Sequence, residues 1–292
     1  AYGRLDDDSD YIAKGNLVKN IKFISCNILN TGFNGLTATG GNRKTLEGAD
    51  IEIYDCEFNN FGRIIGAYSP GINIAGVGIN IRNCTIQRGD SIGIMVGGND
   101  CIIENNDIFD VARECTNCGA IYLHKGLKTG IVIKNNYIHD ITDEHGTGHM
   151  LSYNPDVKVH GKIGVYNDGA GSMLTVENNV IKDVPIGFFS VGFGNKVNNN
   201  IFIDVKYPIR TRENDILISK ISHQDGTYDM PEFNEKLGDT AFAELGYLEQ
   251  NGIKNPAWAS KYPEVFTWKE YLNEMGTDAI YPKNNIPDNL IT

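Results

Sequence analysis

A chain of 292 residues that is 41% hydrophobic, with 33 glycines and a formal net charge of −11, has the composition of a soluble folded protein. The acidity disfavours nucleic acid and anionic membranes as partners, and it disfavours polyuronate substrates unless Ca²⁺ or a local basic patch intervenes. No apolar run approaches the ~18 residues a membrane-spanning helix needs, so membrane insertion is not expected.

Residues 1–16 hold the acidic run Asp6-Asp7-Asp8-Ser9-Asp10, read as a solvated segment. The chain opens on Ala with no signal peptide in view, and the expectation is a piece processed from a longer chain. From residue 17 a template recurs. Ile21–Ile28, Ile51–Phe58 and Ile79–Ile86 alternate apolar and polar residues around a cysteine. Cys101–Val111, Ile131–Ile141, Leu174–Val184 and Asn195–Val205 repeat the pattern around an Asn-Asn pair. Period-2 alternation broken by a fixed turn is strand–turn–strand writing, and its recurrence is the mark of a solenoid of parallel β-coils. Aligned on the turn, the ladder runs Cys26, Cys56, Cys84, Asn106, Asn136, Asn179, Asn200, with steps of 30, 28, 22, 30, 43 and 21 residues. Equal rungs with unequal steps mean coils of one shape carrying loops of different length. An inward asparagine can bond both its own turn and the next coil, and cysteine fills the same small buried slot. Cys26, Cys56 and Cys84 are therefore read as stacked thiols. Cys115-Thr-Asn-Cys118 is read as a local disulfide or two free thiols, since zinc would need two further ligands.

The chemistry-bearing residues lie between Arg113 and Arg212. Ala120-Ile-Tyr122-Leu-His124 and Gly164-Val-Tyr166-Asn-Asp168 are matching strands. At the ~4.8 Å spacing of neighbouring strands, a shared register places Tyr122 on Tyr166 and His124 on Asp168. Such a His–carboxylate neighbour pair suits acid/base work, against the plainer reading of exposed polar strand ends. The 43-residue step is a long loop from Thr142 to Lys162, with Asp143, Glu144, His145, His149 and Asp156. Long loops in compact folds are often functional, though His145 and His149 are equally at home in loop packing or solvent. His139 sits on the repeat template and is read as structural. Lys125, Arg210 and Arg212 are candidates to meet a sugar hydroxyl or carboxylate, against ordinary surface charge. After residue 221 the pattern gives way to a helical or irregular segment, 222–292. Asp239 caps one expected helix, and Thr267-Trp-Lys-Glu270 is a capping box for a second. Pro282–Ile286 looks like the start of another strand.

Several motifs carry a family resemblance: Cys118-Gly-Ala-Ile-Tyr122, Asn136-Tyr-Ile-His-Asp140, Gly164-Val-Tyr-Asn-Asp168-Gly, Gly192-Phe-Gly-Asn195, Asn198–Asp204 and Pro256-Ala-Trp-Ala-Ser-Lys-Tyr-Pro263. Together they resemble the right-handed β-helix proteins around glycoside hydrolase family 141, in the pectate-lyase-like superfamily. The resemblance implies an all-β, right-handed parallel β-helix with a short C-terminal helical appendage. It also implies a secreted bacterial enzyme, extracellular or periplasmic, that cleaves glycosidic bonds in plant or complex polysaccharides. Of three acidic positions in the family pattern, Asp168 alone matches; His124-Lys125-Gly126 and Val191–Asn195 depart from it.

A glycosidase needs two carboxylates, so the expected site pairs Asp168 with a loop acid such as Glu144, beside His124. Tyr122, Tyr166, Lys125, His149, Arg210 and Arg212 are the expected substrate contacts, with no resident metal. Two alternatives stand beside the hydrolase. One is a polysaccharide lyase in which Lys125, His124 or Tyr166 takes the proton α to a uronate carboxylate, with Arg210 or Arg212 on that carboxylate and Ca²⁺ as a possible cofactor. The other is a non-catalytic glycan-binding or structural β-helix. In all three the partner is a polysaccharide or oligosaccharide.

Overall fold

The computed structural model describes residues 18–43, 45–115, 117–123, 128–142, 161–168, 173–190, 194–211, 256–264 and 285–292. These residues wind into three sheets whose strands all pair in parallel, one strand per sheet per coil. The first sheet runs from Lys22–Ile24 to Lys196–Asn198, the second from Asn27–Leu29 to Leu290–Ile291, and the third from Leu36–Gly40 to Tyr207–Thr211. The architecture is the parallel β-helix that the repeated template predicts.

The template residues take their places for backbone reasons. Each coil turns three corners, and each corner holds a residue at positive φ. The corner between the first and second sheets uses Ser25, Asp55, Asn83, Asn105, Asn135, Asn178 and Asn199, at φ of 50° to 57°. Asn and Asp tolerate this left-handed region better than other side chains. The first residue of each Asn-Asn pair therefore makes the corner, which leaves the second to point inward. The recurring aspartates Asp110, Asp140, Asp183 and Asp204 make the corner after the second sheet, at φ of 48° to 52°. Gly78, Gly130 and Gly194 alternate with Asn20, Asp50 and Asp100 at the corner before the first sheet.

Inside the coils, register stacks like on like. Phe23, Ile53, Ile81, Ile103, Ile133, Val176 and Val197 form one inner row. Ile28, Phe58, Ile86, Ile108, Ile138, Ile181 and Phe202 form another. The alternate residues of the first sheet face out and carry charge in register, with Glu104 at 3.2 Å from Arg82 and 3.1 Å from Lys134.

The ladder joins these coils along the axis. The Oδ1 of Asn136 accepts from both the backbone N–H (3.0 Å) and the Nδ2 (2.9 Å) of Asn106, while its own Nδ2 donates to Ile103 O (3.0 Å) and Asn179 Oδ1 (2.9 Å). Asn179 and Asn200 repeat the arrangement. At the other end the Cys84 N–H donates to Asn106 Oδ1 (2.9 Å), and the Cys26 N–H reaches Cys56 Sγ (3.4 Å). One further rung was not aligned from the sequence: Asn289 Oδ1 accepts from the N–H and Nδ2 of Asn200, both at 3.0 Å. Residues 285–292, grouped with the C-terminal segment in sequence, thus form the next rung of the solenoid, and Leu290–Ile291 pairs with Ile201–Ile203.

Burial pushes the Cys84 and Cys101 thiols up to about 12. An unfolded thiol ionises near ~8.5. The stability these protonated thiols contribute is full below that value and is lost as pH rises toward the folded one. The urea midpoint is therefore expected to fall steadily from pH 8 to pH 11; a flat profile over that range would contradict the burial of these thiols.

The C-x₂-C pair is a disulfide, Cys115–Cys118, and the other four cysteines are free. The helices expected around Asp239 and Thr267 lie outside the described residues. A short helix, Pro256–Lys261, falls instead on the Pro-Ala-Trp-Ala-Ser-Lys stretch. Its Trp258 is fully buried and donates Nε1–H to Arg43 O (2.6 Å). Arg43 Nε donates in turn to Asn99 Oδ1 (2.7 Å). Lys261 lies 2.7 Å from Asp100, and the Tyr262 hydroxyl donates to the same carboxylate. Gly130 makes room for that phenol, which a Cβ would strike. The helix is thereby tied to the corners that follow the third sheet in three coils.

Candidate functional site

The third sheet has the longest strands, up to six residues, and its two faces differ. Alternation along Cys118–Leu123 turns Ile121 and Leu123 to one side and Tyr122 to the other. The Ile121 row is wholly apolar: Leu36, Ile72, Ile94, Val165, Phe188 and Ile209. The Tyr122 row reads Thr37, Asn73, Met95, Tyr122, Tyr166, Phe189, Arg210. Mixed polar and aromatic residues mark this as the outer face, and the half-exposed Tyr68 in contact with it agrees.

Tyr122 and Tyr166 are register partners, as the matching strands predict, and their rings meet edge to face at 5.1 Å and 79°. Phe189 continues the aromatic run, 5.3 Å from Tyr166. Asp168 stands two residues beyond Tyr166 on the same face, its backbone N–H bonded to Leu123 O (3.0 Å). The Tyr122 hydroxyl donates to Asp168 Oδ2 at 2.6 Å, a short bond to an ionised acceptor. Burial pushes the Tyr122 phenol far above its ordinary range; the negative charge of Asp168 and the neighbouring Tyr68 push the same way. Tyr122 is therefore a neutral donor at every working pH. It is fully buried, and its hydroxyl holds the Asp168 carboxylate in place. Tyr166 is likewise turned inward on the site, its hydroxyl donating to Asn117 Oδ1 (3.0 Å).

Arg210 shares the row two coils beyond Tyr166 and lies over the Tyr207 ring at 4.5 Å. Of the residues singled out in the sequence, the structure thus brings Tyr122, Tyr166 and Asp168 together, with Arg210 farther along the same row. His124, Lys125, Glu144, His149 and Arg212 lie outside the described residues. His139 is on the outer face of the second sheet, stacked between Tyr137 (3.9 Å) and Phe109 (4.9 Å), with Nδ1 at 2.8 Å from Asp140 and Nε2 at 3.0 Å from Asp107. That packing agrees with its structural reading. Among the described residues no group of three or more His, Cys, Asp or Glu is placed to hold a metal ion.

Two members of the site escape a reading by sequence. Asn117 is one residue of the C-x₂-C loop, and nothing in its spacing links it to Tyr166. Tyr68 sits in a turn, Tyr68-Ser-Pro-Gly71, yet its ring lies 6.2 Å from that of Tyr122 at 73°. The turn is held there by the Ser69 N–H, which donates to the buried Ser91 Oγ (3.0 Å).

The model of the family described as the right handed beta helix region matches residues 70–220, just over half of the chain and all but the first strand of the third sheet. No curated protein and no solved structure matches the chain. Three parallel sheets, an inward asparagine ladder and the family match agree with one another: this chain belongs to the right-handed β-helix family.

Proposed function

We propose that this protein is a glycoside hydrolase acting on a plant or complex polysaccharide, with Asp168 as one of its two catalytic carboxylates. The observation that carries the reading is the Asp168 carboxylate held at 2.6 Å by the buried Tyr122 hydroxyl, beside the aromatic row on the outer face of the third sheet. One oxygen is engaged by Tyr122, and the other is the one for substrate. Solenoid sheets are shaped to receive an extended chain along their length, and a carboxylate fixed on such a face is placed to act on it. The motif resemblance to glycoside hydrolase family 141 points the same way. Hydrolysis needs a second carboxylate across the scissile bond, for which Glu144 of the long loop is the proposed partner, with His124 beside them. Lys125, His149 and Arg212 are the further proposed substrate contacts. The Cys115–Cys118 disulfide supports action outside a reducing cytosol.

One observation favours a second reading. Arg210 shares the row of Tyr166 and Phe189, as a lyase would want for a uronate carboxylate. The two reactions differ in their products. Incubated with a panel of neutral and acidic plant polysaccharides, the protein is expected to release reducing ends without unsaturated, ultraviolet-absorbing products. Unsaturated products from a polyuronate would replace the hydrolase by the lyase, with Ca²⁺ as its cofactor.

A further inference from the structure

We infer that Tyr68 is the sugar-stacking platform of the Asp168 site, and that the site takes a neutral pyranose ring rather than a uronate. The inference rests on the carbohydrate-active reading above and names what that reading leaves open.

Tyr68 differs from every other residue at positive φ among the described residues. Most of those are Asn or Asp at the corners of the coil; Tyr68, at φ 50°, is the one aromatic. A bulky side chain in the left-handed region is strained, and such strain persists where the surroundings enforce it. Here Ser69 is fully buried, its N–H fixed to Ser91 Oγ, which leaves the preceding residue little freedom. The result is a ring that is 53% exposed but set against the buried Tyr122. The other aromatics of the row, Tyr122, Tyr166 and Phe189, are at most 5% exposed. Of these four rings, Tyr68 is thus the one with surface to offer.

Tyr122 links the two parts, touching the Tyr68 ring with its own ring and the Asp168 carboxylate with its hydroxyl. A pyranose ring laid on Tyr68 buries its apolar C–H face against the phenol, and its hydroxyls can donate to the Asp168 carboxylate. A uronate at that place would set a second carboxylate beside Asp168, a like-charge approach that costs affinity. The cation of the row, Arg210, is two coils beyond Tyr166.

The test titrates the wild type, Tyr68→Phe, Tyr68→Asn and Tyr68→Gly with cello-, xylo- and mannohexaose and with hexagalacturonate. Asn and Gly both tolerate the left-handed backbone, so they remove the ring without burdening the fold. The expected result is binding of a neutral hexasaccharide by the wild type, unchanged within about twofold in Tyr68→Phe and about tenfold weaker in both Tyr68→Asn and Tyr68→Gly. Hexagalacturonate is expected not to bind. Undiminished binding in Tyr68→Asn and Tyr68→Gly, no binding of any neutral hexasaccharide, or preference for hexagalacturonate would overturn the inference. If Tyr68-dependent binding is found in a protein that hydrolyses nothing, the platform stands and the hydrolase falls. If Asp168-dependent hydrolysis continues at unchanged KM in Tyr68→Gly, the platform falls and the hydrolase stands.

Discussion

Replacing Asn136 by alanine is expected to lower the unfolding free energy by about 3–5 kcal/mol. The side chain makes four bonds in the dry interior. Its Oδ1 accepts from the Asn106 N–H and Nδ2, and its Nδ2 donates to Ile103 O and Asn179 Oδ1. Alanine leaves the buried Asn106 N–H without its acceptor, and a buried polar group so stranded costs ~1–3 kcal/mol. Ile103 O loses its side-chain donor as well, and a void opens where the amide stood. Asn289→Ala removes the same acceptor from Asn200 at the end of the ladder, where the bond is only part-buried; its cost is expected near ~1 kcal/mol. Asn136→Cys should fall between them, since the first coils show that a thiol sulfur can accept from the next backbone N–H, at 3.4 Å in Cys26–Cys56. Urea unfolding of the three variants checks the order. Equal losses for Asn136→Ala and Asn289→Ala would mean that the interior ladder holds the coils no more firmly than its end does.

Tyr122→Phe is expected to reduce kcat by about 10- to 100-fold while KM stays within about twofold, because a hydrogen bond to a charged group is worth ~1.5–3 kcal/mol. In the proposed site the phenol is buried behind the carboxylate, so its loss should not weaken ground-state binding. What it removes is the side-chain bond that, among the described residues, fixes the Asp168 carboxylate, 2.6 Å long. A misplaced carboxylate is felt in the transition state, where small displacements matter most. Phenylalanine keeps the edge-to-face packing with Tyr166 and Tyr68, so the fold should hold. A rise in KM at constant kcat would instead make Tyr122 a substrate contact, as the sequence alone suggested.

How much of this was legible beforehand follows from which interactions are periodic. The coils were readable because each obeys one local rule: alternation places Ile81, Ile103 and Ile133 in one row, and the corner asparagines recur with a fixed partner. The register of Tyr122 on Tyr166 came from the same rule. Asn289 was missed because 89 residues separate it from Asn200, so its rung stands outside the run of short steps. Its own signal, Asp288-Asn289-Leu-Ile, matches the template once the interruption is allowed. The burial of Tyr122 was not legible for a different reason: spacing gives the face a side chain is on, not what covers it. Tyr68 and Asn117 sit in corners whose course over the sheet has no period at all. The same holds for Trp258, whose partner Arg43 is 215 residues away.

The central claim is that Asp168 performs chemistry, and the rate of hydrolysis in Asp168→Asn tests it most directly. On whichever polysaccharide the wild type cleaves, the variant keeps the shape and the Tyr122 contact but loses the charge. Reducing-end release is expected to fall about a thousandfold or more, with an unchanged melting temperature and substrate still bound. A variant that hydrolyses at the wild-type rate would move the catalytic carboxylates elsewhere on the solenoid.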